Sequence, residues 1–145
     1  MSTTVKVIVF GVVNGLLWSL APGGLNNLFL SKDAALVCIA GMLTGIAVSL
    51  ALKAPLTRFG RGWALIFGLV SLPLGAFIFG VIFSILDVSA WLNGSQYGIF
   101  NVFLIGGYYA LLSIISIFAI ILLPLAVLTT FILRSVIHSG KNQAH

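Results

Sequence analysis

The sequence predicts an all-α integral membrane protein, a four-transmembrane-helix bundle with both termini cytoplasmic (N-in/C-in). Three observations lead there. Of the 145 residues, 61% are hydrophobic and 6% are charged, whereas a soluble domain carries about 25% charged residues. The mean hydropathy is +1.24, which leaves too little polar surface to coat a water-soluble globule. The few charges stand at the edges of long apolar runs, as in helices that cross a hydrocarbon core about 30 Å thick. Residues 1–145 read as a single membrane domain with no room for a soluble one.

The first span is expected at about 4–21, closed by Pro22-Gly23-Gly24, which cannot continue a helix without cost. Ser19-Leu20-Ala21 has the small-x-small pattern of a signal-peptide cleavage site. Its charged lead is a single lysine, Lys6, and Pro22 would follow the cut, so the segment reads as a retained helix. LNNLFL (25–30) is too short and mixed to span and is assigned to the interface. The second span, 34–52, is bounded by Asp33 and Lys53 and matches the bilayer core at helical rise. KAPLTRFGRG (53–62) is a polar, basic loop, and the third span runs over 63–86 to stop at Asp87. SAWLNGSQYG (89–98) carries the turn chemistry of Asn93-Gly94.

Charge placement orients the chain. Lys53, Arg58 and Arg61 share one short loop, which is expected inside by the excess of positive charge. Lys6 then falls inside, as do Arg134, His138 and Lys141 after the last apolar run. The connections carrying Lys32 with Asp33, and Asp87, have no positive excess. Four crossings satisfy all of these placements, and a multi-pass protein of the plasma (inner) membrane follows.

The stretch NVFLIGGYYALLSIISIFAIILLPLAVLTTFIL (101–133) has no charged side chain. As one straight helix it would be roughly 50 Å long. A hairpin within it needs a polar turn, because backbone in lipid cannot stay unpaired. Neither Gly106-Gly107 nor SIIS (113–116) leaves about 20 apolar residues on both sides. The run is therefore expected to cross once, as a tilted span over 109–133. An interfacial segment over 97–106 should precede it, with a bend at Gly106-Gly107 and Tyr108 and Tyr109 in the outer aromatic belt.

The residue inventory excludes several kinds of chemistry. No ionisable side chain lies in the middle of an expected span, which disfavours proton-coupled transport. There is no His/Cys/Asp/Glu cluster for a metal and no base to activate a serine, so neither a cofactor nor an enzymatic activity is expected. Cys38 is the lone cysteine and forms no intrachain disulfide. The +5 charge is spread along span edges rather than gathered on one face, so nucleic acid is not an expected partner.

What remains is helix packing. GVVNG (11–15) places Gly11 and Gly15 in a GxxxG pair with Asn14 beside it, and GMLTG (41–45) repeats the device with Gly41, Thr44 and Gly45. Such pairs let helix backbones approach closely. The two motifs are assigned to packing between spans one and two, with Asn14 lining a polar path as the functional alternative. Pro73 and Pro124, in SLPLGA and LLPLAV, are candidate helix kinks; they would free the carbonyls of Leu69 and Ile120, with Ser71 in reach of one. Lys53, Arg58, Arg61 and Arg134 are the basic residues facing cytoplasmic lipid head groups. The three in 53–62 fall below the four to eight that mark specific lipid recognition.

These readings point to a non-catalytic subunit or assembly factor of a larger membrane complex, with the lipid bilayer and a membrane-protein partner or homo-oligomer as partners. The alternative is a homo-oligomeric channel or uncoupled transporter for a small solute, with Asn14 and Thr44 near its pathway. A holin-like pore former is a weaker third.

Overall fold

The computed structural model describes residues 2–19, 34–87, 98–115 and 119–139. Among them the chain is all-helical: α1 (Thr3–Ser19), α2 (Ala34–Arg58), α3 (Trp63–Leu86), α4 (Ile99–Ile115) and α5 (Ala119–Ser139). Helices α2, α3 and α5 are each long and apolar enough to cross a membrane, while α1 and α4 are shorter apolar helices of 17 residues. The expectations for Pro22-Gly23-Gly24, LNNLFL, Lys32 with Asp33, Asn93-Gly94 and the tail beyond Ser139 lie outside the described residues.

Two boundaries differ from the sequence expectation. The first is the loop placed at 53–62, because α2 continues through Lys53 and Pro55 to Arg58. Proline removes one N–H from the helical ladder, but the ladder resumes at once, with Phe59 N–H donating to the Pro55 carbonyl at 2.9 Å. Packing explains the extra turn: Leu52 and Leu56, four residues apart on one face, are both buried in the core. A tight turn over 59–62 follows. There the N–H groups of Trp63, Ala64 and Leu65 donate to the carbonyls of Gly60, Arg61 and Gly62 at 3.2, 3.2 and 3.3 Å, leading into α3.

The second difference is the long apolar run. No break falls at Gly106-Gly107, where a bend is expected, since α4 is helical through both glycines, and residues 99–106 belong to the same helix. The span expected over 109–133 is described as parts of α4, to Ile115, and of α5, from Ala119. The described residues pack against α3 at two points. Gly80 of α3 faces Gly106 while Gly68 of α3 faces Val127. The two α3 positions are about 18 Å apart along their helix, whereas 106 and 127 would be about 31 Å apart on one straight helix. A single straight helix cannot meet both points.

The buried positions trace how the helices meet. In α1 they are Val7, Gly11, Gly15 and Ser19, one every four residues. In α3 they are Ala64, Gly68, Leu72, Gly80 and Ser84, all on the same four-residue stripe. Stripes of this spacing are the ridges by which helices interlock. The most extensive contact is between α1 and α2, followed by α3 with α4, α3 with α5, and α2 with α3; α4 and α5 barely touch. Large buried side chains gather at one end, where Val7, Leu52, Leu56, Ala64, Leu133 and Ile137 form a cluster flanked by Phe10, Val48, Phe67 and Phe131. The start of α1, the α2–α3 turn and the end of α5 therefore meet at that end.

Candidate functional site

The α1–α2 crossing is built on bare backbone. Gly11 lies against Gly45 and Ile46, and Gly15 against Gly41 and Met42, so the two helices run antiparallel. A Cβ on Gly11 would sit 2.8 Å from the Gly45 carbonyl oxygen, and one on Gly41 would sit 2.7 Å from the Gly15 carbonyl oxygen. Added at Gly15 or Gly45, it would meet the carbonyl oxygen of Gly41 or Gly11. All four glycines singled out in the sequence thus face one another within the chain. In lipid, where burying leucine against leucine gains little over burying it against acyl chains, such close approach is what holds helices together.

Asn14 and Thr44 flank this crossing differently. The Asn14 side-chain oxygen accepts a hydrogen bond from Trp18 Nε1 at 3.1 Å, one turn along the same helix, and the residue is half-buried. Thr44 is buried, and its Oγ1 has no hydrogen-bond partner in the structure. Most hydroxyls elsewhere in the helices turn back on their own backbone. Ser19 donates to the Leu16 carbonyl, Ser84 to Gly80, Ser113 to Ala110 and Thr130 to Ala126, at 2.7 to 2.8 Å. This is the usual way a serine or threonine is satisfied inside a helix.

Pro73 and Pro124 lie inside α3 and α5. Ser71 donates to the Gly68 carbonyl at 2.7 Å, one residue before the Leu69 carbonyl that Pro73 leaves free. That bond falls where Gly68 meets Val127 of α5, so hydroxyl and glycine mark the same contact.

The basic residues converge on the end that holds the large-residue core. Arg134 of α5 reaches across to α2, its Nη1 donating to the carbonyls of Phe59, Gly60 and Leu56 at 2.8, 3.2 and 3.3 Å. Leu56 is among the last four residues of α2, whose carbonyls a helix leaves without an intrahelical partner, and Phe59 and Gly60 follow in the turn, where a cation is also favoured by the helix dipole. The Arg134 carbonyl lies 2.9 Å from His138 Nδ1. Lys53 donates to Thr4 Oγ1 at 2.7 Å, tying α2 to the start of α1. Arg58 and Arg61 are exposed beside a ladder of rings: Phe59 and Trp63 have centroids 5.3 Å apart, and Phe59 and Phe67 5.8 Å.

Sequence reasoning missed two contacts and one cap. Gly80 packs on Gly106 and Tyr109, and Gly68 packs on Val127. The available signal was the run of small residues four apart in α3, which GxxxG inspection of α1 and α2 does not capture. No sequence signal gives the reach of Arg134 to α2. Among the described residues no group of three His, Cys, Asp or Glu side chains is placed to hold a metal. No protein-family model, curated protein or solved structure matches the chain.

Proposed function

We propose that the protein is a non-catalytic membrane subunit or assembly factor of a larger membrane complex. The observation that carries this reading is the inward economy of its polar groups. Ser19, Ser71, Ser84, Ser113 and Thr130 are bonded to their own helix backbone and Asn14 to Trp18. Groups satisfied in this way serve packing rather than a solute or a reacting atom. Native mass spectrometry of the protein extracted from its own membrane in mild detergent tests the reading. A fixed ratio to a larger foreign subunit is expected. A protein that is found and works alone sinks it.

A homo-oligomeric channel for a small solute is the second reading, favoured by one specific observation, the buried Thr44 hydroxyl without a partner. A ladder of identical chains in the same spectrum would select it. We further propose a four-crossing topology with both termini cytoplasmic, in the plasma (inner) membrane. The support is the gathering of Lys6, Lys53, Arg58, Arg61 and Arg134 at one end, since positive charge is retained on the cytoplasmic side.

A further inference from the structure

Three of the cations, Lys53, Arg58 and Arg61, lie close together in the sequence, and the fold brings Lys6 and Arg134 to the same end. Lys53 meets the start of α1 through Thr4. Lys6 adjoins Val7, which shares the core cluster with Leu56, Ala64 and Ile137. Arg134 bonds the carbonyls of Phe59 and Gly60, between Arg58 and Arg61. Five cations from α1, α2, the turn and α5 thus share one end of the bundle, within the range of four to eight that marks recognition of anionic lipid. Among the described residues the one carboxylate side chain, Asp87, closes the far end of α3. The same end presents half-exposed Phe59 and Trp63, and α3 continues from it with Leu65, Ile66 and Leu69 outward. A ligand here meets positive charge first, aromatic rings next and an apolar helix wall beyond. That order is the order of a phospholipid.

We propose that this end of the bundle binds anionic phospholipid, with the phosphate held by Arg58 and Arg61 and the acyl chains laid along the Leu65, Ile66 and Leu69 face of α3. An acidic peptide would use the cations but leave the apolar wall uncovered, which is why the lipid is favoured. The proposal goes beyond the accessory reading and needs only that the helices sit in a bilayer; it requires no partner protein.

The test uses the purified full chain in mild detergent, titrated with phosphatidylglycerol or phosphatidylcholine of identical acyl chains and read by native mass spectrometry. Phosphatidylglycerol should be retained in preference, and added salt should erase the preference. Neutralising two charges with Arg58→Gln and Arg61→Gln should weaken it at low salt by about fivefold per charge, on the order of 25-fold together. Phosphatidylcholine retention should fall by much less, because its choline cation offsets the phosphate charge, and Arg58→Lys with Arg61→Lys should keep the preference. Equal retention of both lipids by the unaltered protein overturns the proposal, as does a preference indifferent to salt, a result that needs no variant to fold. A polyglutamate peptide that displaces the lipid and binds more tightly would assign the surface to an acidic protein segment instead. Because a single purified chain is used, a negative result here leaves the search for a partner subunit untouched.

Discussion

Glycine matters in this chain where a second backbone lies against it, and Gly15 and Gly107 show the contrast. A methyl on Gly15 would run into the Gly41 carbonyl group, whereas nothing lies within 4 Å of a Cβ on Gly107. Gly15→Ala should therefore force α1 and α2 apart and lower stability by about 1–3 kcal/mol. Gly107→Ala should be neutral or stabilising by up to about 1 kcal/mol, because glycine is a poor helix residue in its own right. Denaturant titration in detergent micelles compares the two; equal stability of Gly15→Ala and the parent would refute the crossing. Thr44 gives a prediction of opposite sign. Its buried hydroxyl lacks a partner, and a buried polar group without one is a liability. Thr44→Val should be neutral or stabilising by about 1 kcal/mol. A large loss would mean that the hydroxyl has a partner supplied by water, solute or another chain.

At the scale of elements, the end of α2 is held by a side chain from α5. Arg134→Met keeps much of the stem and removes the donors to the Leu56, Phe59 and Gly60 carbonyls. Discounted for partial exposure, the loss should be about 1–2 kcal/mol. Hydrogen exchange locates it: amides of the last turn of α2 and of the turn at 59–62 should exchange faster, while those at the α1–α2 crossing stay protected. Uniform acceleration across the bundle would instead mean that Arg134 supports the whole fold. The packing of the 101–133 run on α3 belongs to the same scale. Two glycine contacts on α3, at Gly80 and Gly68, take hold of the chain at points that one straight helix cannot connect.

For the whole molecule, the prediction concerns sidedness. Thr4 adjoins Lys53, and Ile137 shares a core with Val7, so the first and last helices bring their outer ends together. With Cys38 replaced, single cysteines at Ser2 and Ser139 should react with a membrane-impermeant maleimide from the same face of sealed vesicles. In inside-out vesicles both should react, and in right-side-out vesicles neither should. Labelling from opposite faces would break the bundle as well as the topology, since the core cluster requires both ends on one side.

The sequence by itself determined the helical, apolar class of the structure and the bounds of α3. Lipid offers backbone groups no hydrogen bonds, so apolar runs must be helical, and α3 starts and stops with its run, at Trp63 and Leu86. The glycine pairs of α1 and α2 were legible because close approach needs small residues at a fixed spacing, which is a local property. Tertiary structure alone decided the rest. It extended α2 past Pro55, because Leu56 gains a buried site that composition does not reveal. It continued α4 as helix through Gly106-Gly107, a pair that reads as a bend until Gly80 is placed against it. It brought Arg134 of α5 onto the carbonyls at the end of α2 and the turn that follows. Each of these depends on which residues distant in the chain become neighbours, and that is fixed by the register of one helix on another.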